Sequence, residues 1–195
     1  MKGGEKSALV LSSLVYFLGF AGVALFGPLA VVFKPLLQLS PLTLGLFVAT
    51  PTLTGALLRI PFGALVDKYG GKRPMLVLLA LSSGGLLGLS VLLLRSYPSG
   101  ISPGSLPLML LIGGLVGAGI ATSSVSLVQT SYWFPRDKLG GALGLCAGIG
   151  NTAPGFFTLL LPVEFATLGL AGSYLVWLAI VAGGGVLYWA LAQLS

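Results

Sequence analysis

The stretch LLRIPFGALVDKYGGKRP, residues 57–74, places an arginine deep in an apolar segment and then returns abruptly to polar sequence. Arg59 stands eight residues before Asp67, the next charge along the chain. At about 1.5 Å of rise per helical residue, that separation is roughly 12 Å of depth. Against a hydrocarbon core about 30 Å thick, Arg59 lies near the midplane. A guanidinium at that level is costly unless it faces protein, water or an anion, which makes Arg59 the first functional candidate.

Composition sets the same frame. The 195 residues are 56% hydrophobic and only 7% charged, with a mean hydropathy of +1.05, whereas about a quarter of a soluble domain is charged. The chain reads as an all-α integral membrane protein. Its net charge of +6 is read as membrane topology, with no nucleic-acid partner expected. A single cysteine, Cys146, and no histidine remove an internal disulfide, the commonest metal ligand and the usual general base. No metal, no cofactor and no enzymatic activity are expected.

Six apolar stretches are long enough to span: residues 7–33, 42–66, 75–94, 106–130, 139–161 and 168–191. Turn and breaker residues separate them at 38–41, 70–74, 96–105, 133–138 and 162–164, and Pro28 is expected to kink or end the first. That first run follows Lys2 and Lys6 as a signal peptide would, but it is too long for one and is read as a retained span. The expectation is one six-helix domain over residues 1–195. Lys2, Lys6, Lys68, Lys72, Arg73, Arg136 and Lys138 would share one side, and Lys34 and Arg95 the other. This asymmetry predicts that both termini are cytoplasmic.

On the second span Thr52, Gly55, Arg59, Gly63 and Val66 recur at helical spacing, which predicts that the arginine shares an inward face with small and polar residues. The four acids, Glu5, Asp67, Asp137 and Glu164, all fall near or beyond span ends. Two readings of Arg59 stay open: an anionic ligand in a central cavity, or pairing with carbonyl groups. Gly140, Gly144 and Gly148 form small-xxx-small steps suited to close helix contact. Gly119, Thr122, Ser126 and Gln129 make a polar face on the fourth span, suited to a passage or to interhelical hydrogen bonds. Tyr16, Phe20, Phe62 and Phe156 are candidate cavity walls. Tyr132, Trp133, Tyr188 and Trp189 read as interface belts.

From Gly63 the text GALVDKYGGKR resembles the loop motif between the second and third helices of the major facilitator superfamily. In that reading Gly63 allows close contact, Asp67 ends the helix, Gly70 or Gly71 permits the turn, and Lys72 and Arg73 hold the loop at the cytoplasmic face. Residues 132–155, YWFPRDKLGGALGLCAGIGNTAPG, resemble the nitrate and nitrite porter branch, whose fifth helix carries an AGxGN core. Ala147, Gly148, Gly150 and Asn151 match it, and the departure lies at Ala153 and Pro154.

The resemblance implies that Arg59 and Asn151 contact a bound anion beside Gly148 and Gly150. It implies an alternating-access transporter of nitrate or nitrite in the plasma membrane, of which this chain resembles one 3+3 half. The partners implied are a small oxyanion, the lipid bilayer, and a second six-helix half or a second copy. Two further readings stay open: a carrier of organic mono- or dicarboxylates, and a structural or regulatory half without transport. The charge asymmetry generates a direct test of topology. A cysteine placed at Asp137 should react with thiol reagents only from the cytoplasmic side, and labelling from outside overturns the orientation.

Overall fold

The computed structural model describes residues 3–192, so Lys2 lies outside the described residues. All regular structure among them is helical: α1 (Gly3–Gly19), α2 (Ala21–Leu36), α3 (Pro41–Tyr69), α4 (Lys72–Ser96), α5 (Leu106–Gly117), α6 (Thr122–Trp133) and α7 (Arg136–Leu191). Short 3₁₀ turns cover Pro103–Ser105 and Ala118–Ala121. Five segments have the length and apolarity to cross a bilayer, α1 with α2 and α5 with α6 each counting once.

Local chemistry explains most of the boundaries. Ser40 caps α3, its hydroxyl accepting from the Thr43 N–H at 3.2 Å, with Pro41 in the first turn. Gly70, at φ 73°, ends the helix. Helix α3 therefore runs two residues past Asp67, which does not terminate it. Pro28 neither ends nor breaks α2, which continues through Pro28 and Pro35 to Leu36. Proline lacks one donor, and within a packed transmembrane bundle neighbouring groups compensate that loss. The interruption falls at Phe20, between α1 and α2.

The break expected at residues 162–164 is also displaced. Helix α7 passes through Pro154 and Pro162, and the backbone departs from helical geometry at Gly169, with φ 68° and ψ 174°. A positive φ demands glycine there, which the prolines could not supply. Phe157 and Trp177 would be about 30 Å apart along a straight helix, yet their ring centroids lie 4.4 Å apart. The Trp177 indole N–H donates to Glu164 Oε2 at 2.7 Å. The chain thus folds back on itself at Gly169, and the two arms of α7 pack together.

The centre of the bundle is the crossing of α1 and α2 with α5 and α6. In their most apolar windows 76% and 67% of residues are buried, against 17% for α3 and 22% for α7. Main chains nearly touch at this crossing. A Cβ on Gly119 would sit 2.7 Å from the Gly19 carbonyl oxygen, and one on Gly117 would sit 2.2 Å from that of Pro51 on α3. Side-chain hydroxyls stitch the same seam, Ser126 to the Ser12 carbonyl at 2.9 Å and Ser82 to that of Val116 at 3.1 Å. The polar face of the fourth span is thus spent on interhelical bonds. Gly140, Gly144 and Gly148, expected at a close helix contact, meet nothing within 4 Å.

This contrast is measurable. Gly117→Ala forces a methyl into an immovable carbonyl and should destabilise the protein by about 1–3 kcal/mol, seen as a lowered melting temperature in detergent. Gly144→Ala, with open space around it, should leave the melting temperature unchanged.

Candidate functional site

Three elements meet around Arg59. It stands exposed on α3, and no acid among the described residues forms an ion pair with it. Its guanidinium carbon lies 5.6 Å from the centroid of the Phe20 ring at the α1–α2 break. A guanidinium over an aromatic face gains roughly 0.5–2 kcal/mol, more as water is excluded. Phe20 in turn packs on Tyr16, with ring centroids 4.8 Å apart. The expected inward face of α3 is divided: Gly55 and Val66 are buried and Gly63 half-buried, whereas Thr52 and Arg59 stand at its exposed edge.

From the other side comes α7. Gly150 lies under the Tyr16 ring so closely that a Cβ would fall 2.4 Å from a ring carbon. Glycine at 150 is therefore what admits the aromatic ring. Asn151 is exposed and donates from Nδ2 to the Ala147 carbonyl at 2.8 Å. The Tyr16 hydroxyl lies beside the Asn151 carboxamide and within electrostatic reach of Arg59. Arg59 and Asn151 thus flank one aromatic pair, Tyr16 on α1 and Phe20 at the α1–α2 break. Gly148 is exposed with nothing within 4 Å, so its surface lies open beside Asn151. The second proton of the Asn151 amide and the planar donor fork of Arg59 suit an oxyanion.

Of the candidate aromatic walls, Tyr16 and Phe20 are the two at this site, both buried. Phe156 stacks instead on Phe17, at 5.8 Å. Phe62 packs against the core. Sequence alone offered no reason to prefer Tyr16 and Phe20, because aromatic residues recur throughout the apolar spans.

The loop motif is tied down within the chain. The Tyr132 hydroxyl donates to Asp67 Oδ1, joining the end of α3 to the end of α6. Gly63 lies 3.7 Å, at its Cβ position, from Ser124. Gly71 abuts Gln129, where a Cβ would sit 2.7 Å from Oε1. Gln129 Oε1 accepts from the Tyr188 hydroxyl at 2.7 Å. The Lys72 ammonium lies 5.9 Å from the Trp189 ring centroid, and Arg73 is exposed. Tyr188, expected in an interface belt, is instead a buried hydrogen-bonding residue at 1% exposure. Its pairing joins residues 59 apart in sequence, beyond the reach of local pattern.

Comparison with known proteins adds an independent line. The chain is 32% identical over 166 residues to the probable nitrate/nitrite antiporter NarK1 of Thermus thermophilus, covering 84% of this chain and 34% of that protein. It is 30% identical over 187 residues to the probable nitrate transporter NarT of Staphylococcus epidermidis, covering 93% and 44%. It is 32% identical over 133 residues to the nitrate/nitrite transporter NarU of Escherichia coli, covering 65% and 27%. The chain thus spans less than half the length of these curated relatives. Residues 12–194 match the Major Facilitator Superfamily, in keeping with the apolar helices, and the chain belongs to that superfamily.

Proposed function

We propose that this chain forms one half of a transporter for a small planar oxyanion, nitrate or nitrite, with Arg59 and Asn151 as the anion-contacting residues beside Gly148 and Gly150. The observation that carries the reading is Arg59 itself, a cation with no acid paired to it among the described residues, packed on Phe20, which packs in turn on Tyr16 over Gly150, the residue before Asn151. Relatives named as nitrate and nitrite transporters support it. Charge-assisted hydrogen bonds to an anion would offset the cost of holding a guanidinium at the depth its place in the span predicts.

The architecture suits alternating access. Counting the reversal at Gly169, we read six crossings with both termini cytoplasmic. The exposed flanks of α3 and α7 would be closed by a second six-helix unit, a second half or a second copy, with the anion held between the two. Rocking of one unit against the other would open the site to each side in turn. The acids Asp67 and Glu164 are engaged near helix ends, by Tyr132 and Trp177. That arrangement favours anion exchange over a proton carrier built from this chain.

The test is anion affinity in the assembled membrane protein. Arg59→Lys keeps the charge and loses the fork, and should weaken nitrate binding about tenfold to a hundredfold, the loss of one charge-assisted hydrogen bond or slightly more. Asn151→Ala should weaken it as well. Gly150→Ala, which collides with the Tyr16 ring, should weaken binding more than Gly148→Ala. Unchanged affinity in Arg59→Lys would remove Arg59 from anion recognition.

A further inference from the structure

Away from Arg59, the end of the bundle that carries the loop motif holds a cavity of about 590 Å³ between the start of α1 and the ends of α6 and α7. Lys6, Ser7, Gln129, Trp133 and Tyr188 supply its polar lining, and Leu11 and Leu191 are among its apolar walls. We propose that this cavity binds an acidic phospholipid, its phosphate on Lys6 and Gln129 and the upper part of an acyl chain against the leucines.

The polar groups are arranged to donate. Gln129 is 95% buried, at 5% exposure, and its Oε1 is occupied by the Tyr188 hydroxyl at 2.7 Å. What remains of that side chain is the amide N–H₂, a donor pair. Lys6 contributes an exposed ammonium and Trp133 an indole N–H, while no acid is among the described lining residues. A set of donors with one cation and no lining carboxylate selects an anion. Gln129 is also the residue on which Gly71 of the loop motif rests. A ligand held there therefore touches the link between the α3–α4 turn and α7.

Charge and depth select a lipid over a soluble anion. Lys68, Lys72, Arg73, Arg136 and Lys138 all lie at this end of the chain's helices, the kind of basic cluster that attracts acidic headgroups. Trp133 and the exposed Trp189 mark the depth at which aromatic side chains meet headgroups. Inorganic phosphate would satisfy the donors and leave the apolar walls uncovered, whereas a phospholipid occupies both.

The experiment is thermal stability of the full chain in a neutral detergent, titrated separately with phosphatidylglycerol, phosphatidylcholine and inorganic phosphate, since a ligand of the native state raises the melting temperature. Phosphatidylglycerol should stabilise well beyond phosphatidylcholine or phosphate. Lys6→Gln should raise its half-saturating concentration about fivefold, the contribution of one lysine near an acidic headgroup. Trp133→Phe should raise it too, while Lys138→Gln, a basic residue outside the cavity, should raise it clearly less than Lys6→Gln does. Equal stabilisation by phosphatidylcholine would mean that the cavity takes any lipid and would overturn the proposal. So would equal stabilisation by inorganic phosphate, or equal weakening by Lys6→Gln and Lys138→Gln, which would indicate diffuse surface attraction.

Discussion

The close approach of main chains at the centre of the bundle constrains everything else. In a bilayer the hydrophobic effect does not distinguish helix from lipid, so association rests on packing at short range and on interhelical hydrogen bonds. Glycines at 19, 117 and 119 bring α1, α3, α5 and the 3₁₀ turn at Ala118–Ala121 into backbone contact, and serine hydroxyls bridge the same seam. Once the first and fourth spans cross at that distance, Tyr16 at the end of α1 and Phe20 at the break after it are fixed relative to Arg59 on α3. Gly150 then settles where α7 docks, because only a bare backbone fits beneath the Tyr16 ring.

Much of this was legible in the sequence because it rests on local signals. Apolar length located the long helical stretches, and Ser40–Pro41 and Gly70 marked the limits of α3. Prolines misled, since Pro28 and Pro162 suggest breaks that a packed membrane helix absorbs, while the turn depends on the left-handed backbone of Gly169. Glycine counting misled in the same way. The stripe at 140, 144 and 148 looks regular and touches nothing within 4 Å, and apart from Gly150 the glycines in tight contact are scattered over other spans. Partners such as Asp67 with Tyr132 or Gln129 with Tyr188 are set by tertiary contact. No periodicity encodes them.

Exposure is distributed unevenly. The first and fourth spans are mostly enclosed, whereas α3 and α7 show most of their surface. Leu57 and Ile60 on α3 and Leu159 on α7, each more than 70% exposed, are suited to lipid. Arg59, Asn151 and Thr152 on the same two helices are not, because hydrocarbon offers no partner for a guanidinium or an amide. Each of these helices therefore presents surfaces made for two different environments.

Arg59 sits between two anchors on one rod. Gly55, four residues before it, rests against the Gly117 carbonyl, and Asp67, eight residues after it, is tied to Tyr132. Along an uninterrupted helix these anchors lie about 6 Å and 12 Å from the arginine. A bar pinned on both sides of a point translates little there, so the Arg59 backbone is carried rigidly with α5 and α6. Changes in the shape of the site must then come from the guanidinium's own rotation, from α1 and α7, or from whatever faces it across the membrane, and Arg59 serves as the stationary reference against which they move.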